Sequence, residues 1–109
     1  MTTPAKPVGP YTPIVRAGDW LVVSGQVGVA GELRQALANL EAQLATEGSG
    51  LGDVVKTTVF LRHMSDYATM NETYIAAFGE HRPARSAIGV AELPLGALVE
   101  VEAWAWVGG

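Results

Sequence analysis

Residues 99 to 107 read VEVEAWAWV, an unbroken alternation with Val99, Val101, Ala103, Ala105 and Val107 on one parity and Glu100, Glu102, Trp104 and Trp106 on the other. A period of two is the geometry of a β-strand, whose successive side chains point to opposite faces of a sheet. One face of the sheet that holds this strand is therefore small and aliphatic, suited to packing beneath helices. The other face carries two carboxylates and two indoles. Carboxylates cost several kcal/mol each to bury without a partner, and indoles are poor choices for a wet surface. A second copy of the chain is expected to cover this face, with the charges at the seam. A hydrophobic content of 49%, slightly apolar for a small monomer, points the same way.

The rest of the chain supplies partners for that strand. TPIVRAGDWLVVSG predicts two short strands joined by the turn Ala17-Gly18-Asp19. From Glu32 to Glu47, Leu33, Ala36, Leu37, Leu40 and Leu44 fall at helical spacing, with Gly48-Ser49-Gly50 as the stop. The β-branched run DVVKTTVFLRH predicts a third strand, and Ser65-Asp66 offers the N-cap of a second helix that ends near Phe78 and Gly79. Strands over about 84–90 and 99–107 complete the order ββαβαββ. Residues 1 to 10 read as a loose, proline-bearing arm. Two helices can cover one face of such a sheet, giving a two-layer α+β sandwich in a single domain spanning 1–109.

In the fourth strand, Ile88 and Val90 are expected in the helix-facing layer, with Arg85 on the opposite side with the glutamates. If the last two strands pair as a hairpin about Leu95, Arg85 lies near Trp104 and Glu100 near Gly89, about 13 Å apart. A bulged register or convergence of charges from neighbouring chains could bring them together, and the second fits the expected oligomer better.

Composition removes several classes of function. Seven basic against 11 acidic residues give a net charge of -4, and no basic stripe is present, so nucleic acid is not an expected partner. The absence of cysteine excludes disulfides, thiolate nucleophiles and thiolate metal sites. The N-terminal MTTPAKPVGPYTP has no apolar run, so neither a signal peptide nor a membrane anchor is expected, and the protein reads as cytoplasmic. Gly25, Gly28 and Gly31 are spaced GxxGxxG, not GxGxxG, and are read as turn glycines. His63 and His81 stand singly near loops and are expected to be solvent-exposed, so no metal site is assigned.

Six motifs then fall in order: GPY at 9–11, VVSGQ at 22–26, DVVKTTVFL at 53–61, NETY at 71–74, FGEHRPARS at 78–86 and VEVEA at 99–103. Together they resemble the successive signatures of the RidA (YjgF) family of reactive-intermediate deaminases, over nearly the whole chain. The resemblance implies a chorismate-mutase-like (ferredoxin-like) fold and a homotrimer with a closed barrel-like centre and three clefts between subunits. It implies hydrolysis of 2-imino acids, or their 2-amino-alkenoic tautomers, to 2-oxo acids and ammonia. Carried over by motif, Arg85 binds the substrate carboxylate, Glu100 positions and activates water, Tyr11 and Asn71 line the cleft, and Ser24 and Gly25 contribute backbone. Two departures stand out. Ala87 occupies a position where many relatives carry cysteine, and the connection from Gln26 to Glu32 is shorter than the usual loop.

The chemistry of these residues suits that activity. A guanidinium fork matches a carboxylate bidentately and stays charged at any relevant pH. A carboxylate beside the imine carbon can orient water and take its proton, and a protonated imine is already electrophilic, so no metal or organic cofactor is required. Each residue also has a plainer role open to it. Arg85 could be a structural ion-pair partner at a subunit seam, Glu102 catalytic or only salt-bridged, Tyr11 a core aromatic, and Asn71 a cap on a buried carbonyl. A trimeric module that binds small carboxylates without turnover is the alternative function; ribonuclease activity or translation inhibition, attached to some members of the family, is disfavoured by the net charge.

Overall fold

The computed structural model describes residues 9–28 and 33–109. Seven main elements follow the expected ββαβαββ order: β1 (Ile14–Ala17), β2 (Trp20–Val27), α1 (Leu33–Ala45), β3 (Val54–Leu61), α2 (Tyr67–Phe78), β4 (Ala84–Gly89) and β5 (Val99–Trp106). Most of the N-terminal arm, the expected helix start at Glu32 and the Gly31 turn lie outside the described residues. Gly18 takes a positive φ of 62° in the tight turn between β1 and β2, a conformation that costs glycine little. Gly79, with φ 64°, ends α2, and its N–H donates to Ile75 O at 2.8 Å.

The strands form one mixed sheet in the order β1-β2-β5-β3-β4. β5 runs antiparallel to both β2 and β3, whereas β4 is parallel to β3. This overturns the hairpin expected between the last two strands. The α2 crossover carries the chain from β3 to a parallel neighbour at the sheet edge, and the Ala91–Leu98 connection then returns β5 to the middle. Arg85 pairs with Thr57 and Thr57 with Ala103, so β3 separates the two strands expected to touch.

Both helices cover one face. Leu33, Ala36, Leu37, Leu40 and Leu44 of α1 are buried, as are Met70, Tyr74 and Phe78 of α2. Beneath them lie Leu21, Val23, Val59, Leu61, Val99, Val101, Ala103 and Ala105, the aliphatic parity expected of β5. One buried polar side chain ties α1 to the sheet: Asn39 Nδ2 donates to Val27 O at 2.9 Å, while within the helix Asn39 Oδ1 accepts from Gln35 Nε2 at 2.9 Å. The opposite face keeps its indoles half out: Trp104 is 46% and Trp106 44% exposed, each edge-on to Trp20. Val15 and Ile88 extend the same exposed apolar surface.

The parity expected for β4 is reversed. Arg85 and Ala87 face the helix layer, and Ser86 and Ile88 face the open side. The parallel register decides this, because Arg85 sits opposite Thr57, which is fully buried under α2. His81 also departs from expectation. It is half-buried, with Nε2 2.7 Å from Val54 O and its ring against Phe78.

Candidate functional site

Arg85 leaves the edge strand β4 beneath α2 and meets a row of side chains from one stripe of that helix. Tyr67, Asn71 and Tyr74 are spaced i, i+4 and i+7, so they stack along a single face. Arg85 Nη1 donates to Asn71 Oδ1 at 2.8 Å and approaches Met70 Sδ at 3.6 Å, and Nη2 donates to Tyr67 Oη at 3.1 Å. The guanidinium carbon stands 4.9 Å from the Tyr74 ring centroid and 5.6 Å from that of Tyr67, both within cation–π range. Tyr74 is itself anchored, its hydroxyl 2.7 Å from Thr57 Oγ1 in the core. Burial pushes the Tyr74 phenol above its ordinary value, with the Thr57 hydrogen bond and the Arg85 and Arg82 charges acting against it. Every polar partner of Arg85 here is neutral, so its positive charge is held in place without being cancelled. Asn71 Oδ1 accordingly serves the guanidinium.

The second group lies on the other face. A recess of about 230 Å³ is lined by Tyr11, Ser24, Gly25, Phe60, Pro94, Glu100 and Glu102. A β-bulge builds its floor: Val23 pairs with Ala103 but Gln26 with Val101, which inserts an extra residue into β2 at Ser24-Gly25. The bulge is fixed by Ser24, whose N–H donates to Pro13 O at 2.9 Å and whose hydroxyl donates to Thr12 O at 2.7 Å. Ser24 O accepts from Gln26 Nε2 at 3.1 Å. Both backbone groups of Ser24 are thus already engaged within the chain. Gly25 has a different role, because a Cβ there would stand 2.6 Å from Glu100 Cδ and 2.9 Å from each carboxylate oxygen. Only a glycine lets the carboxylate lie flat over the strand. Burial, followed by the charge of Glu102, raises the Glu100 carboxyl above the ordinary glutamate range. Tyr11 is 42% exposed and borders this recess, so it is not a core aromatic.

The structure therefore brings Tyr11, Ser24, Gly25 and Glu100 together, and Arg85 with Asn71, but sets the two groups apart. Glu100 pairs with Phe60 and Arg85 with Thr57, three residues along β3 and two strand spacings across, about 14 Å between backbones. Their side chains leave opposite faces. Tyr67, Tyr74 and Thr57 were absent from the expected site; the tyrosine spacing on α2 is the signal that could have shown them. A separate recess of about 410 Å³ between α1 and α2, floored by Leu33, Leu61 and Met70, holds none of the expected site residues.

Residues 1–107 match the family model described as Endoribonuclease L-PSP. The chain belongs to that family. A RutC family protein of Pyrococcus horikoshii is 42% identical over 113 residues, covering 93% of this chain and 90% of that protein. The Escherichia coli K12 protein named 2-iminobutanoate/2-iminopropanoate deaminase is 41% identical over 110 residues, covering 88% and 86%. Among solved structures, the YjgF gene product of E. coli superposes with a TM-score of 0.86 at 41% identity, covering 95% of this chain and 92% of that one. E. coli TdcF with bound serine gives 0.88 at 36% identity, covering 97% and 94%. The RidA/YjgF resemblance is thus family membership, and the α+β fold with two helices on a mixed sheet is the fold of these L-PSP/YjgF structures. An aligned span of 113 residues exceeds the 109 of this chain, so the P. horikoshii relative carries residues within the span that this family member lacks. No helix among the described residues is long and apolar enough to cross a membrane.

Proposed function

We propose that this protein is a 2-imino acid deaminase, hydrolysing 2-iminobutanoate- and 2-iminopropanoate-like substrates in clefts between the subunits of a homotrimer. One copy supplies Arg85 and its α2 ledge; its neighbour supplies the recess of Tyr11, Ser24, Gly25 and Glu100. The observation that carries the reading is the charge of Arg85, gripped by Asn71, Tyr67 and Tyr74 and, among the described residues, by no carboxylate. A guanidinium oriented at this cost by neutral groups is suited to a guest anion. The exposed Val15, Ile88, Trp104 and Trp106 support an assembly that covers the open face; one relative is named an imine deaminase, and a structure of this fold holds bound serine.

In the reaction, Arg85 holds the carboxylate and so fixes C2 of the protonated imine. A water beside Glu100 adds its oxygen to C2 and gives a proton to the carboxylate, forming the carbinolamine. The raised affinity of Glu100 for protons makes it a better base than an ordinary glutamate. Glu100 then returns that proton to the nitrogen, the C–N bond breaks, and the hydroxyl proton leaves with ammonia. Iminium and water become 2-oxo acid and ammonium, with charge and atoms balanced and Glu100 regenerated. Tyr11 walls the recess and Gly25 keeps the carboxylate low. Ala87 takes no part, because no thiol is needed.

An amino acid oxidase that generates the imine in situ provides the test. The wild type is expected to accelerate loss of the imine signal, with Arg85→Ala and Glu100→Gln each reduced to near the uncatalysed rate. Equal rates for wild type and Arg85→Ala would remove the proposal, and saturable carboxylate binding without turnover would favour the binding module. Ribonuclease activity is not proposed: the net charge is -4, and the recess holds two carboxylates.

A further inference from the structure

We infer that Tyr67 is a second carboxylate-recognition residue, its hydroxyl donating to the same anion that Arg85 holds. The inference rests on the role proposed for Arg85 and extends it. A guanidinium has five N–H donors. Both on Nη1 are directed at protein atoms, Asn71 Oδ1 at 2.8 Å and Met70 Sδ at 3.6 Å. One on Nη2 goes to Tyr67 Oη at 3.1 Å. What remains is the Nε donor and one donor of Nη2, so Arg85 meets a carboxylate from the Nε/Nη2 side.

Tyr67 Oη sits beside that side. Because the phenol oxygen accepts from Nη2, its own hydrogen is still available to donate, and acceptance from a cation polarises the O–H and strengthens that donation. Tyr67 is 40% exposed, so the hydrogen can turn toward an incoming ligand. A carboxylate oxygen bonded to Nη2 lies within reach of Oη, since both are neighbours of one nitrogen. Arg85 and Tyr67 then give a three-donor anion site in which the tyrosine senses a charged oxygen. Tyr74 cannot act in the same way, because it is buried and its hydroxyl is paired with Thr57.

Tyr67→Phe removes the hydroxyl and keeps the ring under the guanidinium. Calorimetric titration with 2-oxobutanoate and with its neutral amide, on wild type, Tyr67→Phe and Arg85→Ala, tests the inference. The expected result is that Tyr67→Phe weakens the acid about tenfold or more, as loss of a hydrogen bond to a charged group does, and leaves the amide unchanged. In turnover the loss falls on KM more than on kcat. Wild-type affinity for the acid in Tyr67→Phe, or equal losses of acid and amide, would overturn the role of Tyr67 while Arg85→Ala still abolished binding. Unimpaired acid binding by Arg85→Ala would instead bring down the parent proposal.

Discussion

Gly25→Ala isolates the Glu100 half of the site from the fold. The added methyl carbon would stand 2.6 Å from Glu100 Cδ, whereas carbons rest about 3.5 to 4.0 Å apart, so the carboxylate must withdraw by about 1 Å. The three atoms nearest to the added carbon are all at the flexible end of the Glu100 side chain. Gly25 is not among the residues with positive φ, so alanine fits its backbone. Removing a glycine also stiffens the unfolded chain by about 0.4–1 kcal/mol, which offsets the cost of turning Glu100. Stability should therefore change by less than about 1 kcal/mol. Catalysis should not be spared, because a displacement of about 1 Å in a reacting group can cost about 100-fold. Imine hydrolysis and thermal unfolding measured on the same preparation should show a rate down about 100-fold with Tm nearly unmoved. Since the substitution acts through Glu100, adding it to Glu100→Gln should cost nothing further. A wild-type rate in Gly25→Ala, or losses that multiply in the double variant, would refute the reasoning.

Other perturbations address separate parts of the structure. Burial and Glu102 raise the folded-state pKa of Glu100 above its unfolded value, so its contribution to stability is complete below the ordinary glutamate range and is lost as pH rises through the raised value. Glu100→Gln should consequently raise Tm at neutral pH, with the gain vanishing in acid, and a lower Tm at neutral pH would contradict this. Glu102→Gln should lower the pKa of Glu100 and move the acidic limb of kcat/KM to lower pH, whereas an unmoved profile would deny their coupling. Thr57→Val leaves the buried Tyr74 hydroxyl without its partner, a loss of about 1–3 kcal/mol that should lower Tm by about 5 °C or more; an unchanged Tm would show that hydroxyl to be satisfied elsewhere. Trp104→Asp places a charge on the exposed apolar face and should yield single chains by sedimentation, with native helix content and no deaminase activity. A trimer that persists would refute the covered-face reading.

The fold was largely legible in the sequence because its signals are local. The alternation of β5, the helical spacing of Leu33 to Leu44 and the glycines at 18 and 79 each depend on residues close in the chain. The pairing of β4 was not legible. ARSAIG is short, it lies at the sheet edge, and its Ile88 resembles a core residue. In an isolated subunit the rule that apolar side chains point to the core assigns Ile88 to the helix layer and sends Arg85 outward. Here the rule fails because both faces of the sheet carry apolar side chains, one against α1 and α2 and the other exposed around Trp20, Trp104 and Trp106. Hydrophobicity then loses its power to fix parity, and the register with Thr57 decides.

That reversal changes what the site requires. With Arg85 beside Glu100 on one face, a single chain could neutralise its own cation, and the anion anchor would be no more than an ion pair. Placed under α2, Arg85 is screened by the sheet from Glu100 and Glu102 and is surrounded by an amide, a thioether and two phenols. Burial first, and then the charge of Glu102 with no cation beside it, raise the proton affinity of Glu100. In the proposed reaction each half is kept reactive by its separation from the other within the chain: the guanidinium keeps its charge for the substrate and the carboxylate stays basic. A small acidic substrate at a junction of two copies would be the first species to meet both.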